Sequence, residues 1–401
     1  MTHPPLARTL DARTAAQLRA GGSLKWTGAD GAIGAWVAEM DFGTAPEVTR
    51  ALHDVVDRGL LGYAPPALVE RTSAAFAAFA ADRYGWHVPA ARVRPLPDVL
   101  AALGAAITHF TSPGSPVIVP TPAYMPFLEL PRTLGREILQ VPLVREAAPD
   151  GGAGRYVYDL DALDAAFAAG AELLVLCNPH NPVGRVLEPA EMLAIADVVE
   201  ARGGRVLADE IHAPLVMPGH QHVPYASLSA TTARHTITAA SASKAWNLPG
   251  LKCAQLVLTN DDDAATWERV REHAEHGAST PGLVANAVAY ESGGPWLAEV
   301  VDYLDGNRRL LADVVAERMP GVAHVPPEGT YLAWLDLRRA GPDGAGLGER
   351  PADVLRERAG VAVVDGAACG EAGRGFVRVN LALPRPLLAE ALERMAPLLG
   401  R

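Results

Sequence analysis

The feature that most restricts the fold of this chain is a regular alternation of short apolar runs with helical patterns between residues 46 and 285. The apolar runs are Pro116–Val119, Glu137–Val141, Glu172–Cys177, Arg205–Ala208, Thr236–Ala240 and Ala254–Leu258. Helical patterns lie between most of them, at Tyr124–Leu134, Leu160–Ala169 and Pro189–Arg202. Strands that alternate with helices predict βαβ units, and therefore an α/β domain whose largely parallel sheet is covered by helices on both faces.

The segments on either side of this alternation predict three parts of the chain. Residues 1–45 are expected to form an irregular N-terminal arm that packs with the small domain, 46–285 a large α/β domain, and 286–401 a smaller C-terminal α+β domain. The large domain should begin with helices at Pro46–Arg58, Leu68–Tyr84 and Asp98–Phe110, the last with Asp98 as its N-cap. A long helical region interrupted near Gly293 should reach Met319, followed by short strands at Thr330–Leu337, Val361–Val364 and Phe376–Asn380 and helices at Pro351–Ala359 and Pro386–Leu399.

Charge and composition argue against several classes of partner. The formal net charge is −11, which disfavours nucleic acid or an anionic membrane as the main partner. The start, Met1–Arg8, lacks the apolar core of a signal peptide, and no apolar run is long enough to span a bilayer. The three cysteines have no paired spacing, so we expect free thiols and neither a disulfide framework nor a metal site. These observations predict a cytoplasmic protein.

Polar clusters follow three of the predicted strands directly. Asn178–Gly184 follows the first, Asp209–His212 the second and Ser241–Lys244 the third. In an open parallel sheet, ligands bind outside the carboxyl ends of the strands. An asparagine, an aspartate with a histidine, and a lysine are therefore expected to meet at one edge of the sheet.

The lysine in this group is notable because lysine is rare in the chain. Of 35 basic residues only Lys25, Lys244 and Lys252 are lysines, and the remaining 32 are arginines. A chain that meets its surface needs with arginine tends to keep lysine where a primary amine is required, since only an amine that can lose its proton forms a Schiff base. A lysine with an aspartate, donor groups and hydroxyls nearby fits pyridoxal phosphate: the amine bonds the aldehyde, and the carboxylate keeps the pyridine nitrogen protonated.

The sequence resembles the fold-type I pyridoxal-phosphate enzymes of the class I/II aminotransferase superfamily, and more narrowly the MalY/PatB-type cystathionine β-lyases, which are C–S lyases. Eight stretches carry the resemblance in family order: Trp36–Phe42, Gly62-Tyr63, Thr121–Phe127, Cys177–Arg185, Asp209–Ala213, Ser243–Leu251, Gly329–Asp336 and Phe376–Asn380. They cover nearly the whole chain. The resemblance implies a large domain with a mostly parallel sheet and a smaller α+β domain.

The resemblance also implies roles for the residues around the cofactor. Lys244 would be the Schiff-base lysine and proton shuttle, Asp209 the partner of the pyridine nitrogen, and Asn181 a donor to the phenolic oxygen. His212 stands where many aminotransferases have tyrosine, and Tyr124 would stack on the ring and belong to the catalytic group. Each of these five positions also has an ordinary alternative, which is, in the same order, a surface lysine, an N-cap aspartate, a turn asparagine, a core histidine and a core aromatic residue.

Further roles concern the phosphate and the substrate. Ser241 and Ser243 are candidates for phosphate contact or for capping a turn, and Tyr63 would reach the phosphate and catalytic site of a neighbouring subunit, which implies a homodimer with shared sites. Arg378 would clamp the α-carboxylate of an amino-acid substrate, with a surface salt bridge as the alternative. Trp36–Asp41, the Gly277–Pro281 loop and Gly329–Tyr331 are expected to shape the side of the leaving group, with Trp36, Asn181 and Tyr331 touching substrate.

Two positions depart from the family pattern at the phosphate. Asp98 stands where relatives usually have glycine, and a capping aspartate would compete with phosphate for the helix amides. Either it turns away and leaves the amides of Val99 and Leu100 free, or the phosphate depends more on Lys252 and Ser241. Lys252 replaces the usual arginine and is expected to meet an anion as a point charge, unless it is simply solvated.

The predicted reaction is β-elimination from L-cystathionine or another L-cysteine S-conjugate, which releases a thiol, pyruvate and ammonia. The stretch Trp36–Phe42 together with Asp209 and His212 favours this reaction over transamination. An aminotransferase or a decarboxylating deaminase acting on an S-conjugated cysteine is the enzymatic alternative. A regulatory protein that retains the fold is the alternative from another class.

Overall fold

The computed structural model of the protein describes residues 6–146 and 154–400. Its α-helices are α1 Leu6–Asp11, α2 Ala15–Ala20, α3 Leu24–Thr27, α4 Pro46–Asp57, α5 Pro66–Tyr84, α6 Val99–His109, α7 Leu130–Thr133, α8 Leu160–Ala168, α9 Pro189–Ala201, α10 Ala230–His235, α11 Asp261–Glu268, α12 Arg271–Ala274, α13 Thr280–Ser292, α14 Gly294–Arg318, α15 Pro351–Val354 and α16 Arg385–Leu399. Its strands are β1 Ile33–Gly34, β2 Val93–Leu96, β3 Val117–Thr121, β4 Ile138–Pro142, β5 Val144–Arg145, β6 Tyr156–Val157, β7 Leu173–Cys177, β8 Arg205–Asp209, β9 Thr236–Ala240, β10 Ala254–Leu258, β11 Ala323–His324, β12 Leu332–Asp336, β13 Val361–Ala362, β14 Val364–Asp365 and β15 Phe376–Asn380.

The central sheet has seven strands in the order β2-β10-β9-β8-β7-β3-β4. Five neighbouring strands, from β4 to β9, run parallel, whereas β10 is antiparallel to β9 and β2 is antiparallel to β10. The six strands predicted from apolar runs are therefore confirmed, and so is the largely parallel sheet. Strand β2 was not predicted from the sequence, and it contains Pro95. It lies at the edge of the sheet, where a residue that cannot donate a hydrogen bond is tolerated.

Helices cover both faces of this sheet, and four of its inner strands, β3, β7, β9 and β10, are buried at every residue. Alternate residues of β3 point to opposite faces. Val119 packs with Leu103 of α6 on one face, and Ile118 packs with Leu163 of α8 and Ile195 of α9 on the other. The strands thus form a rigid platform whose carboxyl ends share one edge.

A second sheet lies towards the C-terminus of the chain. It has four strands in the order β11-β12-β15-β14, and every neighbouring pair is antiparallel. Helices α14 and α16 pack on it through residues such as Leu311 and Leu392. This agrees with the α+β pattern expected there, while the division of the chain at residues 45 and 285 stays a prediction.

The N-terminal arm is more regular than the sequence predicted. Within its described residues, 6–45, it contains α1, α2, α3 and β1, so the expectation of an irregular arm was wrong; residues 1–5 lie outside the described part. Thr14 and Gln17 form a capping box at the start of α2, and Trp26 of α3 is buried against the second sheet. Tertiary packing therefore stabilises helices too short to form alone.

After β1 the chain continues as a segment with a bend and a turn, Trp36–Gly43, which we call the strap. Strand β1 pairs with β13, and the Asp41 amide donates to the carbonyl of Ala382 just after β15. At its other end the strap meets Asn247, which follows the last of the parallel strands. The strap therefore crosses from the second sheet to the edge of the first.

The segment after β3, the cysteines and the length of the helices were also the subject of predictions. The predicted helix Tyr124–Leu134 was wrong, since a 3₁₀ turn at Met125–Leu128 and α7 replace it; Pro131 lacks the N–H that a continuous helix would need. All three cysteines are buried free thiols. Within residues 6–146 and 154–400, none of the helices combines the length and apolar character that a membrane span requires.

Candidate active site

A cavity of about 170 Å³ lies at the edge where the parallel strands end. Its walls are formed by Pro97, Asp98, Val99, Leu100, Tyr124, Asn181, Asp209, Ile211, His212, Ser243, Lys244, Pro249, Lys252 and Cys253. The clusters that follow β7, β8 and β9 all contribute to it, as the sequence predicted. The first turn of α6 closes one end.

Lys244 extends into this cavity from the turn after β9. Its Nζ donates a hydrogen bond of 2.8 Å to the main-chain carbonyl of Ala38 in the strap. Burial lowers the pKa of Lys244 to about 8, with the positive charge of Arg378 acting in the same direction and Asp209 opposing both. The amine therefore exchanges its proton near neutral pH, as a nucleophile or general base must.

Asp209 ends β8 and is almost fully buried. Its Oδ1 accepts a 3.1 Å hydrogen bond from the amide of Ile211. Burial raises the pKa of Asp209 to about 7, against the opposing effect of Lys244. Within the described part of the chain Asp209 forms no ion pair, and a protonated ring nitrogen in the cavity would supply a cationic partner.

His212 and Tyr124 lie on the cavity wall beside these groups. His212 is buried, and its Nδ1 has no hydrogen-bond partner among the described residues. Burial lowers the pKa of His212 well below its ordinary value, and Lys244 and Arg378 add to this effect, so the ring is neutral. Burial raises the pKa of the Tyr124 hydroxyl, which therefore keeps its proton. The wall thus offers a neutral imidazole and a phenol.

The end of the cavity at α6 has the character of an anion site. Asp98 caps the helix by accepting a 2.9 Å hydrogen bond from Ala101, which leaves the amides of Val99 and Leu100 without a helical acceptor. The other oxygen of Asp98 forms a 3.0 Å ion pair with Lys252. Asp98 and Lys252, the two residues that differ from the family pattern, therefore contact each other, and Lys252 offsets the negative charge of Asp98.

Ser241 and Ser243, the two serines expected at the phosphate, have different positions at this end of the cavity. Ser243 lines it, whereas Ser241 does not. The Ser241 hydroxyl donates to the carbonyl of Cys253 at 2.7 Å and accepts from the Ser243 amide at 3.0 Å. The structure therefore favours the turn-capping alternative for Ser241, because its hydrogen-bonding capacity is used in holding the turn that carries Lys244.

Arg378 lies beside the cavity on β15 and is 2% exposed. It donates 3.1 Å hydrogen bonds to Oδ1 of Asn181 and to the carbonyl of Trp36, while its Nε has no partner within the described part of the chain. Because Arg378 occupies the amide oxygen of Asn181, the Nδ2 group of Asn181 is left to donate elsewhere. A buried guanidinium with an unused donor suits a carboxylate ligand.

Besides Ser241 and Arg378, three predicted residues lie outside the cavity lining. The Trp36 indole donates to the carbonyl of Lys25 at 2.9 Å, and Tyr331 donates to the carbonyl of Ala38 at the same distance. Tyr63 is 88% exposed and packs against His276. Trp36 and Tyr331 therefore hold the strap, and Tyr63 does not approach the cavity of its own chain.

Two asparagines that fix the strap were not predicted from the sequence. Asn247 binds both main-chain groups of Met40, at 2.9 and 3.0 Å. Asn380 donates to the carbonyls of Val37 and Glu39 at 2.6 and 2.8 Å. The positions of these asparagines, three residues after Lys244 and two after Arg378, were the available signal.

The described residues fit pyridoxal phosphate. Two buried polar atoms among the described residues, Nδ1 of His212 and Nε of Arg378, have no hydrogen-bond partner at or beside a cavity that also holds an amine of lowered pKa. The buried carboxylate of Asp209 accepts only from the Ile211 amide and, at 4.0 Å, from the Cys177 thiol. Buried polar groups are normally satisfied, so such a concentration indicates a polar ligand. A pyridine ring between Asp209 and Tyr124, with a phosphate at Val99 and Leu100, would satisfy this donor and acceptor set.

Comparisons with known proteins agree with this arrangement. Residues 37–395 match the family model for aminotransferase class I and II. A cystathionine beta-lyase of Corynebacterium glutamicum is 39% identical over 94% of this chain and 96% of its own length. The structure of a candidate PLP-dependent beta-cystathionase of Corynebacterium diphtheriae is 41% identical with a TM-score of 0.88, over 96% of this chain and 98% of that chain. Cystalysin from Treponema denticola, which contains pyridoxal 5'-phosphate, is 30% identical with a TM-score of 0.84, over 94% and 95% of the two chains.

Proposed function

This chain belongs to the class I and II aminotransferase family, and we propose that it is a pyridoxal-phosphate-dependent C–S β-lyase. The proposed reaction converts an L-cysteine S-conjugate such as L-cystathionine, with one water molecule, into a thiol, pyruvate and ammonia. The observation that carries the proposal is the meeting of Lys244, Asp209 and Asn181 in one cavity beside Arg378. A cystathionine beta-lyase 39% identical over 94% of the chain makes the lyase reaction the preferred one.

Bound pyridoxal phosphate supplies an aldehyde that condenses with amines and a ring that withdraws electrons from the substrate Cα. Asp209 would hold the proton of the ring nitrogen, and the Nδ2 group of Asn181 would donate to the phenolic oxygen. Tyr124 would contact the ring face. The amides of Val99 and Leu100, together with Lys252, would hold the phosphate.

Arg378 would bind the substrate α-carboxylate. Burial lowers the pKa of Arg378, but a guanidinium remains charged at any pH the protein experiences. Its bonds to Asn181 and Trp36 fix the orientation of the guanidinium. A substrate carboxylate held there places its Cα on the side of the cavity that Lys244 reaches.

Lys244 would remove the Cα proton, and the C–S bond at Cβ would then break with departure of the thiolate. The pKa of Lys244, about 8, leaves a useful fraction of neutral amine at neutral pH. The Ala38 carbonyl, which accepts a hydrogen bond from this amine, fixes its direction. The protonated hydroxyl of Tyr124 is a donor on the same wall that can protonate the leaving sulfur.

We also propose a homodimer with shared active sites. Val56, Leu61 and Tyr63 are large apolar side chains exposed by 64%, 65% and 88%, and they lie within one short segment. An exposed apolar surface of this kind favours contact with a second copy. Tyr63 of one chain would then complete the phosphate site of the other. The cytoplasmic location stays a prediction of the sequence.

The dimer proposal has a direct test in mixed dimers. Lys244→Ala and Tyr63→Ala homodimers should each be inactive or weak. After subunit exchange, half of the dimers are mixed and one of their two sites is intact, so about a quarter of the wild-type activity should appear. If the mixture is no more active than its parents, the sites are not shared.

The lyase proposal is tested by its products. The purified protein should show a visible absorption band that Lys244→Ala abolishes, and it should release thiol and pyruvate in equal amounts from a panel of cysteine S-conjugates. Thiol is measured with a disulfide reagent and pyruvate with lactate dehydrogenase. Formation of a 2-oxo acid that still carries the sulfur substituent, without free thiol, would instead identify an aminotransferase.

A further inference from the structure

The strap is held by many hydrogen bonds to its main chain, in addition to the side-chain contacts of Trp36 and Asp41. Lys244 and Tyr331 both donate to the carbonyl of Ala38, at 2.8 and 2.9 Å. Asn380 and Asn247 bind the main-chain groups on either side of that carbonyl. The position of the Ala38 carbonyl, and with it the position of the Lys244 amine, therefore depends on how the strap is anchored.

Lys25 is the buried charge at this anchor. It lies on α3 and is 0% exposed. Its ammonium forms a 3.0 Å ion pair with Asp41 and donates to the carbonyls of Ala382 and Glu39 at 2.9 and 3.3 Å. One side chain thus links the arm, the end of β15 and two residues of the strap.

The geometry explains why this position keeps a lysine in a chain rich in arginine. Three oxygen atoms surround Nζ of Lys25, and an ammonium has three hydrogens to direct at them. A guanidinium has five donors in a planar fork, and a site with three acceptors would leave some of them buried and unsatisfied. Burial lowers the pKa of Lys25, and the negative charge of Asp41 opposes that change.

We propose that Lys25 is a positioning residue for Lys244: by clamping Asp41 and Glu39 to Ala382, it fixes the Ala38 carbonyl that orients the catalytic amine. This inference rests on the proposed function only for its effect on turnover. Without Lys25, Asp41 keeps its 2.8 Å bond from the Trp26 indole but carries a buried negative charge without its partner. The strap then keeps the bond from the Asp41 amide to Ala382 and the bonds from Asn380, but it loses the charge that holds Asp41 and Glu39 at this end, so its position there is less well fixed.

The effect on Lys244 has a predictable direction. A hydrogen bond accepted by Ala38 favours the protonated amine, so its loss lowers the pKa of Lys244 further below its ordinary value. The other charged groups that face Lys244 are Arg378 on β15, Asp209 at the end of β8 and Glu39 in the strap, with the neutral His212 nearby. The first two lie on strands whose sheet hydrogen bonds do not involve Lys25.

The first test reads this pKa without using catalysis. The full chain, freed of cofactor, is treated with an amine-selective reagent over a range of pH, and the peptide that contains Lys244 is measured by mass spectrometry. With only three lysines in the chain, each is resolved. In Lys25→Met the midpoint of Lys244 labelling should fall by about one pH unit, which is the effect of losing one hydrogen bond to a charged group.

Three further variants make this test decisive. Asp41→Asn keeps an acceptor for Trp26 but removes the charge, so it should lower the midpoint in the same direction, and it also serves if Lys25→Met does not fold. Lys25→Arg should not restore the wild-type midpoint. Asp263→Asn breaks a partly buried 2.5 Å ion pair with Arg205, remote from the strap, and should leave the midpoint unchanged. Wild-type midpoints in both Lys25→Met and Asp41→Asn would overturn the proposal.

The second test uses the cofactor-loaded enzyme. In Lys25→Met, kcat per loaded site should fall roughly ten- to hundredfold with little change in KM, as expected for a displaced catalytic group. The kinetic isotope effect with an α-deuterated substrate should rise, because proton removal becomes limiting. A lower fraction of loaded enzyme with normal kcat and isotope effect would mean that Lys25 only stabilises the fold. If the wild type lacks lyase activity, the labelling test still applies.

Discussion

Replacing Asp209 by asparagine should stabilise the cofactor-free protein at neutral pH, although it removes a central residue of the site. The carboxyl group is buried, and burial raises its pKa from 3.8 to about 7. Ionisation is therefore unfavourable in the folded protein. Asparagine cannot ionise, and its Oδ1 can still accept the hydrogen bond from Ile211.

The size and pH range of the effect follow from linkage. Below the unfolded-state pKa of 3.8 both states hold the proton, and Asp209 imposes no ionisation penalty. As pH rises, Asp209 loses its proton first in the unfolded state, so the free energy of unfolding falls. The fall ends once the pH exceeds the pKa of Asp209 in the folded state. At 1.36 kcal/mol per pKa unit, the penalty is about 1.5 kcal/mol at pH 5 and approaches roughly 4 kcal/mol above pH 7.

Equilibrium urea unfolding of the two cofactor-free proteins at pH 5 and pH 8 measures this difference. Asp209→Asn should be the more stable protein at both pH values, and its advantage should be larger by about 2 to 3 kcal/mol at pH 8. The ion-paired Asp263→Asn serves as a control and should be less stable than wild type at both. An advantage that does not grow with pH, or a loss of stability at pH 8, would refute the reasoning.

Three other predictions address the site. Lys244→Ala should abolish the visible absorption band of the loaded protein while leaving noncovalent cofactor binding measurable by fluorescence. Arg378→Gln should lower kcat/KM by a hundredfold or more, because the loss of two charged hydrogen bonds costs about 3 kcal/mol. With an amino-acid amide as substrate, the same substitution should lower kcat/KM by a smaller factor than it does with the parent acid. Asp98→Gly should tighten the binding of pyridoxal phosphate to the cofactor-free protein, because it removes a negative charge beside the amides of Val99 and Leu100. Lys252→Ala should weaken this binding, because it removes a positive charge at the same place. Equal dissociation constants for the two variants and the wild type would contradict the assignment of an anion site.

The strand ends were predictable because apolar runs and the polar residues that follow them are both local patterns. Asp209, Lys244 and Asn181 come directly after buried strands, and the parallel sheet brings these ends together regardless of loop detail. Asp98 was likewise recognisable as an N-cap from its place before an apolar helix. The ion pair between Asp98 and Lys252 could not be predicted, since the two residues are far apart along the chain.

The strap was not predictable for a different reason. Its anchors bind main-chain carbonyls, and every residue has one, so the acceptor side leaves no trace in the sequence. The donor side chains do differ in the sequence, as the rare Lys25 and the asparagines at 247 and 380 show, but their type alone does not say which carbonyl each one binds. The arm was misjudged for a related reason, because the stability of its short helices comes from burial of Leu10 and Trp26 against distant segments.

The way the strap is held also bears on how this protein can diversify. Hydrogen bonds to the main chain persist when side chains are exchanged, so Val37 and Glu39 can be replaced without removing any of the bonds that fix the Ala38 carbonyl. A segment whose backbone is fixed and whose side chains can be replaced, beside the proposed catalytic amine of Lys244, is comparable to the hypervariable loop of a binding protein. A library randomised at these two positions would search for new leaving-group preferences while keeping the catalytic geometry constant.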